Sequence, residues 1–249
     1  MSGKEYLSLE PSKFEKLLKI VSLPKTSKAL LEPVEFEFDD KGLWVRQYDS
    51  ASIVAVLANF KPAYFQEYNI MPVFQVSPSS LLPDLRKVLK LEKVVKILLD
   101  EDKIVFRGEY EEYSDLRPNI AVNKIEADKV VEKHFGFCSA KLNPHKIYRL
   151  DISQLELMKA EEISFEYGKT LVAMISTETK SYKRRLIHEA NPAGDGEGRV
   201  TLYYDLVQRV VRNMSGMVYI AFTEQGPVLF SQKTDAFTVT YVLLPKEEE

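Results

Sequence analysis

The sequence predicts an α+β fold built from two similar domains in tandem, and three observations carry that expectation. Stretches that alternate apolar and polar residues are interleaved with stretches of helical period, as mixed α and β layers require. The order strand, helix, strand, turn, strand occurs twice, in "VFQVSPSSLLPDLRKVLKLEKVVKILLDEDKIVFRG" and in "VTLYYDLVQRVVRNMSGMVYIAFTEQGPVLF". The two halves also overlay. "LLPDLRKVL" lies on "LVQRVVRNM" at an offset of 125, setting Leu81 on Leu206, Leu82 on Val207, Leu85 on Val210 and Leu89 on Met214. After a one-residue slip, "VVKILLDEDKIVF" lies on "VYIAFTEQGPVLF" at an offset of 124. A repeat of this kind indicates duplication. The expected division is a first domain at 1–118, a polar connector of mixed charge at 119–133, and a second domain at 134–249.

Each element has its own justification. Tyr6–Leu9 reads as a short strand. In "PSKFEKLLKIV", Phe14, Leu17, Leu18 and Val21 share one helical face and the lysines share the other; Ser12 or the residues before it cap the start, and Pro24 ends any continuation. "VEFEFDDKGLWVRQYD" alternates on both sides of "DDKG", which marks a hairpin. "SIVAVLANF" is a more apolar strand, and "KPAYFQEYN" a connector with one helical turn. The second helix carries an apolar stripe of Leu81, Leu82, Leu85, Val88 and Leu89, with Pro83 expected in its first turn, where the missing N–H does little harm. In the second half, "GFCSAKL" reads as a strand, "NPHKIYRLDIS" as a short helix opening at Asn143–Pro144, "EISFEYGKTLVAMIS" as a hairpin, "SYKRRLIHEA" as a strand and "NPAGDGEG" as a loop. The last strand begins at Thr240 and runs into Pro245, Lys246 and three glutamates.

Composition narrows the classes. A chain of 249 residues, 45% hydrophobic and 29% charged, can bury a sizeable core. The net charge of −3 excludes a protein coated in basic surface but leaves room for a local basic face. The single cysteine, Cys138, has no disulfide partner and reads as a buried small hydrophobe in a reducing compartment. "MSGKEYLSLEP" lacks the apolar core of a signal peptide, and no apolar run approaches the roughly 18 residues of a membrane span, so a soluble intracellular protein is expected. There is no glycine-rich phosphate loop, and His134, His145 and His188 are not at metal-ligand spacing. Asp39–Asp40 and Asp100–Asp102 fall at hairpin turns, where turn chemistry explains them better than acid–base work. The sequence therefore predicts a non-enzyme without cofactor or metal.

Positive charge, in contrast, is sorted. The four expected helices each set a basic face opposite an apolar one: Lys13, Lys16 and Lys19; Arg86, Lys87 and Lys90; Lys146 and Arg149 with His145 beside them; Arg209 and Arg212. For a single helix this is an ordinary solvated face. Four helices of one polarity suit a polyanion held through its phosphates without base reading.

Three segments carry a resemblance to a known family. "FDDKGLWVRQYDSASIVAVLANFKPAYFQEYNI", "FQVSPSSLLPDLRKVL" and "VTYVLLPKEEE" resemble the first hairpin with its serine loop and aromatic segment, the second helix with its preceding strand, and the "YYLAPK" ending of DNA sliding clamps of the proliferating cell nuclear antigen (PCNA) type, in particular archaeal ones; Leu244 stands where alanine is usual. The resemblance spans nearly the whole chain and is weak through residues 113–200. It implies the clamp, or processivity, fold: a ring of three subunits, identical or different, with helices lining the hole and sheets outside. Duplex DNA would pass through that hole, and polymerase, ligase, flap nuclease and clamp loader would dock by short motifs. It implies a location in the cytoplasm for an archaeal protein and in the nucleus for a eukaryotic one. By position, the docking groove comprises Tyr48, Ser50, Ser52 and Ile53, Ile125 and Val130 of the connector, Gly226 and Pro227, and Val242 to Lys246 with Leu244 and Pro245 between. The connector "VNKIEADKVVEKH" departs from the family in its lysines. Subunits of the family join head to tail by edge strands, here near Glu109–Arg117 and Glu178–Leu186. The first edge is acidic (Glu109, Glu111, Glu112, Asp115) and the second basic (Lys180, Lys183, Arg184, Arg185), so charge complementarity is expected to help select the joint. Ordinary charged edges that avoid aggregation are the alternative. The other functional readings are a clamp-fold subunit of a mixed ring or a checkpoint-type adaptor and, more remotely, an unrelated α+β enzyme.

Overall fold

A computed structural model describes residues 6–22, 34–48, 53–76, 78–88, 90, 92–99, 103–110, 112–116, 144–156, 160–176, 180–189, 192–224 and 226–246. The chain divides into two compact units, one of residues 1–47, 56–124 and 234–239, the other of residues 48–55, 125–233 and 240–249.

In the first unit the order is β1 (Tyr6–Leu9), α1 (Pro11–Val21), β2 (Val34–Asp39), β3 (Gly42–Tyr48), β4 (Val54–Phe60), a 3-10 turn at Pro62–Tyr64, β5 (Phe74–Val76), α2 (Pro78–Val88), β6 (Val95–Leu99), β7 (Lys103–Arg107) and β8 (Glu112–Leu116). The second unit has β9 (Lys146–Asp151), a 3-10 turn at Ile152–Leu155, β10 (Glu162–Tyr167), β11 (Leu171–Ser176), β12 (Ser181–Leu186), β13 (Gly198–Tyr203), α3 (Tyr204–Asn213), β14 (Met217–Phe222), β15 (Val228–Lys233) and β16 (Phe237–Leu243). Strands β4 and β16 are themselves divided: residues 56–60 and 237–239 belong to the first unit, residues 54–55 and 240–243 to the second.

The duplication is visible in the connectivity. Counting eight strands in each half, the first half orders them 1-6-7-8 and 5-2-3-4, as β1-β6-β7-β8 and β5-β2-β3-β4. The second half repeats both orders, as β9-β14-β15-β16 and β13-β10-β11-β12. Two pairs of the expected helix overlay agree in burial, Leu81 with Leu206 and Leu85 with Val210; Leu82 is half-buried where Val207 is buried, and Leu89 lies outside the described residues. For β6 and β14 the overlay needs correction. Ile97 stands opposite Phe106, and Ile220 opposite Phe230, so β14 matches β6 at 123 while β15 matches β7 at 124. A one-residue error would turn every side chain to the wrong face; the second hairpin simply has one more residue in its connection.

Core packing follows the alternation. In the first unit Phe14 of α1 meets Phe106 of β7 with ring centroids 5.5 Å apart. The buried Tyr64 hydroxyl donates to the Lys13 carbonyl at 2.6 Å, tying the 3-10 turn to α1. At the β2–β3 turn Gly42 has φ of +130°, and a Cβ there would lie 2.2 Å from the Phe60 carbonyl oxygen, so only glycine fits. In the second unit Phe222 stacks on Tyr167 at 4.4 Å, and Phe165 and Phe230 are fully buried beside it. Removing a core ring such as Phe230 costs about 3–5 kcal/mol in comparable cores.

Three expectations change. Residues expected as the third helix form strand β9: Lys146, Tyr148 and Leu150 are buried while Arg149 is exposed, a period of two, and the strand pairs antiparallel with β14. Only the 3-10 turn follows it, with the Asp151 carboxylate accepting from the Ser153 N–H at 2.9 Å. Secondly, α2 starts at Pro78, so Pro83 lies inside the helix rather than in its first turn. Thirdly, α1 begins with Pro11 in its first turn and has no side-chain cap, Glu10 standing at the cap position. The expected strand "GFCSAKL" and the connector 119–133 lie outside the described residues.

Candidate nucleic-acid and partner interfaces

The cations of α1 and α2 are exposed or half-buried and interleaved with acids. Lys13 pairs with Glu10 at 3.2 Å, and Lys19 with Glu15 at 2.9 Å. Arg86 of α2 reaches the same Glu15 oxygen through Nε and Nη2 at 3.0 and 2.8 Å. This arrangement pushes the Glu15 carboxyl below its ordinary value, through the hydrogen bond from Lys19 first and that from Arg86 second. Lys16 sits over the Phe237 ring at 5.1 Å. Lys90 is exposed, and Lys87 lies on α2 with its side chain outside the described set. Between the two helices, Phe14, Leu18, Leu82 and Leu85 floor a cleft rimmed by Glu15, Arg86 and Lys90.

On α3, Arg209 and Arg212 are exposed, and the opposite face of Leu206, Val207, Val210 and Val211 is buried. Gln208 donates to the Leu155 carbonyl at 2.9 Å, which anchors the 3-10 turn against this helix. Lys146 and Arg149 do not join a helix face. Lys146 is 8% exposed and donates to the Gly194 carbonyl at 2.5 Å, while Arg149, on the exposed side of β9, pairs with Glu189 at 2.5 Å and covers the Tyr219 ring at 5.8 Å. Their expected place on a basic helix is therefore withdrawn. His145, expected beside them, is half-buried against Gly196.

Of the expected groove, Ser50, Ser52, Ile125 and Val130 lie outside the described residues, as does the Tyr48 side chain. The rest falls in the second unit. Ile53 accepts from the Leu244 N–H at 3.0 Å. Beyond β16 the chain stays bonded past Pro245. The Lys246 N–H donates to the Thr201 carbonyl at 2.8 Å, and its ammonium pairs with Glu162. Leu244, Pro245 and Lys246 are half-buried, but Val242 is fully buried and faces the core, not a surface wall. Gly226 is half-buried, and the neighbouring Pro227 carbonyl accepts from the Thr223 hydroxyl at 2.9 Å.

The two expected edge strands are β8 and β12, each last in the order of its sheet. Glu112 is exposed and pairs with Arg107 at 2.6 Å; Asp115 is placed in β8 opposite Ile104; Glu111 lies outside the described residues. On β12, Lys183 pairs with Glu166 at 3.1 Å, Arg184 donates to the Tyr182 hydroxyl and the Gln154 carbonyl, and Arg185 is exposed, as is Lys180 just before the strand. Two residues at these edges escaped the sequence reading. Gln154 forms two hydrogen bonds with the backbone of Ile187, at 2.7 and 2.8 Å. Glu92, 8% exposed, accepts from the N–H groups of Glu109 and Tyr110 at 2.6 and 2.9 Å. Locally both look like solvated polar residues, and no periodic signal separates them from their neighbours.

Among the described residues no group of histidine, cysteine and carboxylate side chains is arranged to hold a metal, and no helix is long and apolar enough to cross a membrane. No protein-family profile and no curated protein sequence matches the chain. Solved structures do. The proliferating cell nuclear antigen of Entamoeba histolytica is similar over 97% of this chain and 98% of its own, with a TM-score of 0.76 at 11% identity. A. fulgidus PCNA, solved with the C-terminal region of FEN-1 bound, is similar over 98% and 99%, with a TM-score of 0.76 at 15% identity. The PCNA2–PCNA3 complex from Sulfolobus tokodaii matches over 98% and 100%, with a TM-score of 0.73 at 17% identity. The α+β fold is thus that of the PCNA-type sliding clamps along nearly the whole chain.

Proposed function

We propose that this chain is a subunit of a sliding clamp, a non-enzymatic ring that encloses duplex DNA and tethers replication and repair enzymes to it. One observation carries the reading. The duplicated topology leaves β8 and β12 as open edges, and these are the counterparts of β16 and β4, which lie side by side in the order of their sheet. Among the described residues, two strands of a type already paired once in the chain are left at sheet edges, one in each unit. Joining β8 of one copy to β12 of the next is a heterologous contact, which closes into a ring when the rotation permits. Glu112 on one edge and Lys183, Arg184 and Arg185 on the other give the contact opposite charge.

DNA contact rests on α1, α2 and α3, with Lys13, Lys16, Lys19, Arg86, Lys90, Arg209 and Arg212 meeting phosphates. A ring held topologically needs only weak, mobile phosphate contacts, which accords with a net charge of −3 and with Glu10 and Glu15 among the lysines. The segment Leu244–Lys246, strapped between Ile53 and Thr201, forms one wall of a groove for short docking peptides. The neighbour with a bound FEN-1 segment supports a nuclease as one partner class. Polymerase, ligase and clamp loader are further candidates for the same groove.

Sedimentation tests the carrying observation. The chain is expected as an oligomer, and Arg184→Glu with Arg185→Glu should move it toward monomer. The assembled protein should be retained on circular duplex DNA and lost once the DNA is cut. Removing residues 244–249 should weaken peptide binding and leave assembly intact. A second reading, a subunit of a mixed ring, is favoured by the neighbour built from two different clamp chains. A lone monomer that assembles only with related chains would decide for it.

A further inference from the structure

We propose that two side-chain stops, Gln154 and Glu92, fix the register at which β8 of one copy joins β12 of another, setting Glu112 directly opposite Lys183. The inference rests on the assembly reading above and adds to it which residues meet and what prevents slippage.

The stops stand at comparable places. Just past β12, Gln154 Oε1 accepts from the Ile187 N–H at 2.7 Å and Gln154 Nε2 donates to the Ile187 carbonyl at 2.8 Å. Both backbone groups that Ile187 would offer a joining strand are thus taken by one side-chain amide. The counterpart of Ile187 is Lys61, just past β4, because the buried Phe60 ends β4 as the buried Leu186 ends β12. The Lys61 N–H donates to Ala236 just before β16, at 2.9 Å. A strand end fills on β4 the position that Gln154 fills on β12. On the other edge, Glu92 has taken the N–H groups of Glu109 and Tyr110. It packs so closely that a Cβ on Gly108 would lie 2.1 Å from its carboxyl carbon.

The register follows by transfer. Lys61 stands opposite Ala236 within the first unit and Ile53 opposite Leu244 within the second, two antiparallel pairs of one register, in which three residues inward from Ile53 and from Leu244 are Val56 and Tyr241. Tyr241 matches Tyr113: Tyr113 is opposite Phe106, and the hydroxyl bond between Ser231 and Thr240 sets Tyr241 opposite Phe230. Val56 matches Tyr182. The joint therefore sets Tyr113 opposite Tyr182, Glu112 opposite Lys183 and Ser114 opposite Ser181. Alternation points the N–H groups of Ser181, Lys183 and Arg185 the same way as that of Ile187, toward the incoming strand. In this register Glu109 and Tyr110 fall opposite Leu186 and Arg185, so both stops lie at one end of the ladder.

The stops matter because charge alone does not choose. Sliding β8 by two residues toward Ile187 would bring Glu112 opposite Arg185, an equally attractive pair. That slide drives the loop held by Glu92 into Ile187, whose backbone is already bonded to Gln154. A slide of two the other way sets Glu112 opposite Ser181 and loses the pair. One direction is closed by the stops, the other by charge.

Cysteine cross-linking reads the register, in a Cys138→Ser background. Tyr113→Cys with Tyr182→Cys occupies a non-hydrogen-bonded pair, where strands approach closely enough for a disulfide. It should link copies under mild oxidation, and Tyr113→Cys with Arg184→Cys should not. Adding Gln154→Ala should let the second pair link. Linking of the shifted pair with Gln154 intact, or its failure to link without Gln154, overturns the proposal. Hydrogen exchange on the unaltered chain gives a readout free of variants. The Lys183 amide should gain protection of tenfold or more as copies assemble, while Ile187, Glu109 and Tyr110 are slow at every concentration; an Ile187 amide protected only on assembly overturns it. A chain that sediments only as a monomer removes the assembly reading and this inference together, whereas an oligomer linked in the wrong register removes this inference alone.

Discussion

Glu15 shows how one carboxylate sets the strength of a basic face. It holds Lys19 and Arg86 at once, and its carboxyl titrates below the ordinary 4.5 because the charged form receives both hydrogen bonds. The folded value is depressed, so the stabilisation is present above the unfolded carboxyl's range and is lost as pH falls through the folded value. The groups are exposed enough that each pair is worth only about 0–1 kcal/mol and weakens with salt. An NMR titration should place the Glu15 midpoint below 4.5 at low ionic strength and return it toward 4.5 in molar salt. Glu15→Gln should do more for DNA than for stability. It releases two cations, so the slope of log affinity against log salt should steepen by about one to two units. An unchanged slope would mean that Lys19 and Arg86 do not reach phosphate.

At the scale of elements, α2 carries an internal proline. Residue 83 donates no bond to the carbonyl four residues back, and the ring crowds that carbonyl. Pro83→Ala should therefore stabilise the first unit, by up to about 3 kcal/mol on helix propensity alone; a rise in the urea midpoint at constant slope would show it. Most strands of each half were legible because alternation and turn residues are local. The strand β9 was not, since Asn143–Pro144 imitates a helix start. What holds β9 is distant: pairing with β14, and a Tyr148 hydroxyl that both donates to and accepts from the Gly168 backbone at 2.6 Å. The charges of the two edges could be read directly, but Gln154 and Glu92 could not. Their roles exist only once strands far apart in sequence stand side by side. The C-terminal segment was half legible: Pro245 does end β16, yet Lys246 is bonded to Thr201, a partner that no local pattern names.

At the scale of the whole molecule, the second unit brings one long helix, α3, among the described residues, where the first brings two. On the proposed DNA contact, the exposed arginines of α3 and the cations of α1 and α2 can be tested apart. Arg209→Glu with Arg212→Glu should lose the whole contribution of α3 to DNA affinity, whereas reversing Lys16 and Lys19 should leave Arg86 of α2 and Lys90 beyond its end. Filter binding across salt concentrations would measure the difference, and equal losses would contradict it. The duplicated topology has one further consequence, which concerns mass action. Strands 4 and 8 occur twice, but β4 and β16 are carried by one polypeptide, so their meeting does not depend on the concentration of the protein in solution. Strands β12 and β8 meet only at the concentration of the protein in solution. On the proposed assembly the two joints have the same architecture but answer to different laws. On that assembly dilution would act on β8 and β12 alone, which would make that seam the place where the proposed ring parts to admit DNA.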